Sequence, residues 1–290
     1  MHYLLQAGRG FLMGAADIVP GVSGGTVALV LGIYERLVHN IRNGAAVLGW
    51  VVRGQFGRAG KRWREIEWRF LLPLLAGILI ALVTLARLLD VWLEDHPQIM
   101  AAIFFGLVAG SMFIAFRLMS SWEPIHLAIV AGVGVIAFFV LGFRSDEVAE
   151  PALFAFLLGG MLAIIAMILP GISGSFILLM VGLYPAVLAA VNDRDLGRLV
   201  VFALGTIVGL AAFSTILDKL LSSHHDAVMA GLIGLMAGSL RVLWPWPHGT
   251  DTAELVAPVG GEWVGPLLLA LGAAAAVMFI GMLASPPSEV

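Results

Sequence analysis

Two helix breaks constrain this chain more than any other feature. One reads Ile18-Val19-Pro20-Gly21-Val22-Ser23-Gly24-Gly25-Thr26 and the other Ile168-Leu169-Pro170-Gly171-Ile172-Ser173-Gly174-Ser175-Phe176, each inside a long apolar run. Proline removes a backbone donor and glycine favours non-helical dihedrals, so both segments interrupt a helix. Sixty per cent of the residues are apolar and 12% charged, and the apolar runs approach the roughly 20 residues needed to cross a bilayer, which predicts an all-α polytopic membrane protein. Inside lipid every freed backbone group needs a partner, so a break at that depth is buried in protein or lines a site.

Laying the two halves over each other shows a duplication. At an offset of 150, Pro20, Gly21, Ser23, Gly24, Leu29, Gly32 and Tyr34 fall on Pro170, Gly171, Ser173, Gly174, Leu179, Gly182 and Tyr184. At an offset of 128, Leu89, Asp90, His96, Ala102, Gly106, Leu107, Ala109, Gly110 and Ser111 fall on Leu217, Asp218, His224, Ala230, Gly234, Leu235, Ala237, Gly238 and Ser239. The two blocks keep the same order, as a repeat requires. The change of offset, 150 − 128 = 22 residues, is taken up by a basic segment before Trp68.

Each half therefore reads as a broken hairpin followed by three spans. Repeat 1 (1–143) has a hairpin at about 10–38, a basic connection at about 39–68, and spans near 69–89, 98–118 and 125–143. Repeat 2 (144–290) has a hairpin at about 151–191 and spans near 199–217, 227–243 and 264–284. The arm from Gly10 to Ile18 is about 14 Å of helix, half the hydrocarbon thickness, so it enters and turns back. The second pair of arms is longer, and two short full spans are open there. Either way the hairpin crosses an even number of times and the three spans make the half odd, so the repeats are expected to have inverted topology.

Charge tests the topology separately. Eight of the sixteen Lys and Arg residues lie in one connection, at Arg36, Arg42, Arg53, Arg58, Lys61, Arg62, Arg64 and Arg69. By the positive-inside rule this connection is cytoplasmic, and both termini follow it. Arg194 and Arg198 fit less well, since they would flank the second hairpin outside. The same connection carries Trp50, Trp63 and Trp68, a pattern that suits either a topogenic segment held at anionic headgroups or a regulatory lipid sensor.

Where a hairpin turns in mid-membrane, its freed amides and the positive end of the next half-helix suit an anion such as phosphate or carboxylate. The candidate binding residues are Gly21, Ser23, Gly24, Gly25 and Thr26 in the first break and Gly171, Ser173, Gly174 and Ser175 in the second, with Arg117 and Arg241 near span ends as candidate phosphate partners. The bland alternative is that the glycines permit close packing and the serines cap helices. Asp17, one residue before the first break, either carries a coupling proton or accepts hydrogen bonds from the exposed amides. Cysteine is absent and no histidine spacing resembles a ligand set, so no metal or cofactor is expected. No catalytic constellation and no nucleic-acid partner is expected either. A homo-oligomer is compatible with these features.

The segments Ala16–Thr26 with Gly32-Ile33-Tyr34-Glu35, and Leu169–Phe176 with Gly182-Leu183-Tyr184, resemble the DUF368 family of bacterial membrane proteins, the polyprenyl-phosphate transporters. The resemblance covers nearly the whole chain. It implies translocation of undecaprenyl phosphate from the outer to the inner leaflet of the bacterial cytoplasmic membrane, for reuse in cell-wall synthesis. Polyprenyl-diphosphate phosphatases share Pro-Gly-x-Ser hairpins, but there an arginine follows the serine and glutamates cluster nearby. Here Gly24 and Gly174 follow the serines. An ion channel, the third reading, would need polar rings along a pore.

Overall fold

The computed structural model describes residues 2–19, 21–148, 150–247, 249 and 255–284, with the backbone alone for His2, Leu283 and Ala284. Pro20 of the first break and residues 248, 250–254 and 285–290 of the second repeat lie outside the described residues. Among the described residues the chain is helical, with no strand. The first half comprises α1 (His2–Asp17), α2 (Gly24–Val30), α3 (Tyr34–Val52), α4 (Phe56–Glu65), α5 (Trp68–Asp95), α6 (Pro97–Arg117) and α7 (Pro124–Val140). The second comprises α8 (Leu153–Ile168), α9 (Gly174–Met180), α10 (Tyr184–Asn192), α11 (Leu196–Ser223), α12 (His225–Ser239), a 3-10 turn (Leu240–Leu243) and α13 (Val264–Ala284).

Among the described residues, five helices are long and apolar enough to cross a membrane: α5, α6, α11, α12 extended by its 3-10 turn, and α13. The 17 residues of α7 reach about 26 Å, just under the hydrocarbon thickness. Two local expectations change. The first arm is the whole of α1, 16 residues rather than nine, because nothing breaks the helix between His2 and Gly10. The basic connection is mostly helical: α3 runs on to Val52, and α4 follows after a turn at Gly54.

Glycines set the packing. A Cβ on Gly10 or Gly77 would overlap the carbonyl oxygens of Leu74 and Ala7, so α1 and α5 touch backbone to backbone. The same contact recurs between α8 and α11, where Gly160 meets the Phe202 carbonyl and Gly205 that of Leu157. These pairs stand at the two offsets of the repeat, Gly10 to Gly160 at 150 and Gly77 to Gly205 at 128. Across the halves, Gly106 and Gly110 of α6 lie on Ala270 and Ala274 of α13, while Gly234 and Gly238 of α12 lie on Val130 and Gly134 of α7.

Of the long helices, α6 and α12 are the most buried and α13 the least, so α6 and α12 form the centre. Around them, α5, α11 and α13 present large apolar side chains outward, such as Val83, Val200 and Phe279. A surface this apolar is stable against lipid and not against water. Because Gly10 meets Leu74 and Gly14 meets Ile78, α1 runs parallel to α5. Its last residue, Asp17, falls beside the middle of that 28-residue helix.

Candidate functional site

The two breaks meet. After Asp17 the chain turns back through Gly21, whose φ of +85° only glycine adopts readily. Ser23 then caps α2, its Oγ accepting from the Gly25 amide at 3.0 Å. That hydroxyl also donates to the carbonyl of Met167, in the last turn of α8, at 3.0 Å. One turn on, Thr26 Oγ1 accepts from the amide of Gly171 at 2.8 Å, and Gly171 has φ +89°. A Cβ on Gly25 would come within 2.6 Å of the Ile168 carbonyl oxygen, which is why glycine stands there. Ser23 and Thr26 are fully buried. These two candidate ligands are thus already engaged, each satisfying backbone that the opposite break leaves open.

At one place the breaks differ. Asp17 Oδ1 accepts the Gly24 amide at 2.6 Å, which realises the acceptor role for this carboxylate. In the second break Met167 occupies the same position, its Cγ lying where a Cβ on Gly174 would touch. A thioether accepts poorly. Ser173 caps α9 by accepting from Phe176 N at 3.2 Å, and its Oγ lies 3.0 Å from that of Ser175. The amides of Gly174 and Ser175 have no acceptor among the described residues.

Arg241 stands on the 3-10 turn after α12. Its neighbours Val242 and Leu243 pack on Gly21, and Val242 also joins Ile172 and Phe176 of the second break. The guanidinium lies over the Phe138 ring at 4.8 Å, and its Nε is buried without a hydrogen-bond partner among the described residues. Arg117 is exposed in the last turn of α6 and has neither hydrogen bond nor ion pair among the described residues. The structure therefore gathers Asp17, both breaks and the Arg241 turn, and leaves Arg117 apart. An apolar cavity of about 240 Å³ adjoins the first break, lined by Ala15, Ala16, Val27, Phe104 and Val277 among others.

Sequence reasoning missed a polar network at the start of α3. Asp218, nearly buried, accepts from Arg42 Nη1 at 2.5 Å and lies 3.0 Å from His39 Nδ1, tying α3 to α11. His225 Nε2 reaches Glu35 at 2.9 Å, and Asp226 accepts the Ser120 and Ser121 amides at 2.9 Å each. Arg36 makes a bidentate pair with Glu67, which Asn40 also holds, through its Nδ2 at 3.2 Å and by accepting the Glu67 amide at 2.8 Å. The Arg36 hydrogen bond holds the Glu67 carboxyl below its usual range, outweighing the upward push of burial, so the pair stays ionised at neutral pH. A polar cavity of about 270 Å³ opens among Glu35, Arg36, His39, Asp218, Leu221 and Ser222. The repeat alignment singled out Asp218 through its match to Asp90, yet nothing local names partners some 180 residues away. Asp90 itself is exposed and unbonded among the described residues. No group of three or more His, Asp or Glu that could hold a metal occurs among the described residues.

A family model described as undecaprenyl phosphate translocase-like matches residues 13–257. A polyprenyl-phosphate transporter of Vibrio cholerae serotype O1 is 40% identical over 248 residues, covering 85% of this chain and 79% of the relative. One from Staphylococcus aureus is 32% identical over 254 residues, covering 82% and 84%. No solved structure matches the chain.

Proposed function

Since the chain belongs to the undecaprenyl phosphate translocase-like family, we propose that it carries a polyprenyl phosphate across the bacterial cytoplasmic membrane, from the outer to the inner leaflet, returning the lipid carrier to cell-wall synthesis. The observation that carries this reading is the difference between the breaks. In the first, a carboxylate of the protein sits on the Gly24 amide; in the second, the Gly174 and Ser175 amides are open. A phosphate oxygen placed there does for the second break what Asp17 does for the first. Ser173, Gly174, Ser175 and the Arg241 guanidinium then hold the phosphate, the Gly171 amide joining them only once its bond to Thr26 opens, and the isoprenoid tail lies sideways in lipid.

Gly21, Ser23, Gly24, Gly25 and Thr26 contribute in a second step. When the Ser23–Met167 and Thr26–Gly171 bonds open, the same groups face the phosphate as it passes toward the side of Arg117. The Gly10–Leu74 contact recurs as Gly160–Phe202 and the Gly77–Ala7 contact as Gly205–Leu157, shifted by the two repeat offsets, which supports the duplication on which re-entrant hairpins in inverted repeats rest. Alternating access is a rocking of one half against the other around the joined breaks. Both termini lie in the cytoplasm on this reading, together with the basic connection.

Reconstitution with fluorescent polyprenyl phosphate and polyprenyl diphosphate tests the proposal. Leaflet accessibility, phosphate release and ion flux are followed in the same vesicles. Leaflet exchange of the monophosphate without phosphate release or ion flux is expected. Phosphate release without exchange would overturn the transport reading in favour of hydrolysis, and ion flux without exchange in favour of a channel.

A further inference from the structure

We propose that α4 senses anionic phospholipid in the membrane surface and transmits its binding to the polar cavity at the start of α3. The helix lies at the level of that surface. Trp68 opens the span α5, and Trp63 of α4 packs on it with ring centroids 4.3 Å apart, while the Trp68 indole donates to the Trp63 carbonyl at 3.1 Å. Only Ala59 of α4 is buried, in a small cluster with Val47 and Ile66. Arg62 is half-buried and reaches Asn43 of α3, and the other residues of the helix are exposed.

What it presents is complementary to an anionic bilayer. Phe56 is 70% and Trp63 52% exposed, so the helix carries apolar side chains that water does not favour. At 100° per residue, Lys61 and Arg64 fall on the face opposite Ala59. Both are exposed and have no partner among the described residues. Arg53 and Arg58, both exposed, lie over the Trp50 ring at 5.5 and 4.9 Å, within cation–π range. Helices with this mixture lie in the headgroup plane, and their binding depends on anionic lipid and on salt.

An anchor would need nothing more, but α4 is wired inward. Glu67, two residues beyond its end, holds both Arg36 and Asn40 of α3. Arg36 lines the 270 Å³ cavity with Glu35, His39 and Asp218. When α4 settles on the headgroups, Glu67 moves with it and carries Arg36, so lipid composition sets how open the cavity is. This link is independent of what the protein transports.

The chain has no cysteine, so single reporters are clean. A spin label on Gly57→Cys, a position with open space around it, reads the depth of α4. Reactivity of Leu221→Cys toward a charged thiol reagent reads the cavity. Both are measured in phosphatidylcholine vesicles with and without one-third phosphatidylglycerol, at low and high salt. With phosphatidylglycerol the label should sink out of aqueous quencher and the Leu221→Cys rate should change at least threefold, both reversed by salt. Neutralising Arg58, Lys61 and Arg64 to Gln should weaken docking by roughly fivefold per charge and abolish both responses. Glu67→Gln, which retains Asn40 contacts, should keep the depth change and lose the cavity response. A label equally exposed in both vesicles leaves the basic face to a soluble acidic partner and overturns the proposal. A depth change with an unaltered Leu221→Cys rate in the unsubstituted background reduces α4 to an anchor and overturns it as well.

Discussion

Replacing Thr26 by Val tests the junction of the two breaks with little change of shape, since one methyl takes the place of one hydroxyl. The Gly171 amide then loses its acceptor at 2.8 Å. It cannot turn to find another, because φ +89° fixes the direction of its N–H, and Thr26 has no exposed surface through which water could substitute. A buried donor left unmade costs about 1–3 kcal/mol. For a chain of this size each kcal/mol moves the midpoint by about 2 °C, so a fall of roughly 2–6 °C is expected at a fixed scan rate in detergent. Hydrogen exchange gives the local readout. The peptide spanning Gly171 should lose protection in Thr26→Val and retain it in Thr26→Ser, which keeps the oxygen. If Thr26→Val melts with the wild type and Gly171 stays protected, the inter-break bond does not stabilise the fold and the argument from it fails.

Gly160→Ala and Gly205→Ala place a Cβ on the backbone of the facing helix and should abolish monodisperse protein on size exclusion. Gly231→Ala and Gly272→Ala, which meet open space, should be neutral or slightly stabilising by helix propensity, about 1 kcal/mol at most. Asp218→Asn leaves Arg42 and His39 without their shared carboxylate, so a Leu221→Cys reporter should react several-fold faster with a water-soluble thiol reagent. For Asp17→Asn, transport in vesicles with and without a pH gradient separates the two roles: loss of gradient dependence identifies a proton carrier, and unchanged dependence identifies a fixed acceptor for the Gly24 amide.

The breaks and the spans were legible in the sequence because each is a local signal: proline, glycine and an apolar run need no knowledge of the rest of the chain. The repeat added more. Gly106 and Gly110 aligned with Gly234 and Gly238, and these four are where the central helices meet their partners. Gly10 and Gly160 keep the same offset, although without side chains to compare they gave no separate signal. What escaped is non-local. Ser23 and Thr26 look like free donors in sequence, and only the approach of a segment about 145 residues away turns them into caps for another break. Asp218 was visible as a repeat position but not as the partner of His39 and Arg42, since pairing across the halves depends on how they pack. The first arm, expected from Gly10, begins at His2, and Gly10 lies inside it, where close packing on Leu74 outweighs the helix propensity that glycine lacks.

The pairing of α6 with α13 also bears on how the protein is made. The glycine face of α6 at Gly106 and Gly110 has its partner at Ala270 and Ala274, roughly 160 residues later in synthesis. At about 5–20 residues per second, α6 waits on the order of 10–30 s in the bilayer before that partner emerges. During this time its small-residue face is a ready surface for a wrong helix, including α6 of a neighbouring nascent chain. Truncation before α13 should therefore yield a misassembled first half rather than a smaller working unit, and biogenesis should depend on whatever shields a helix during insertion.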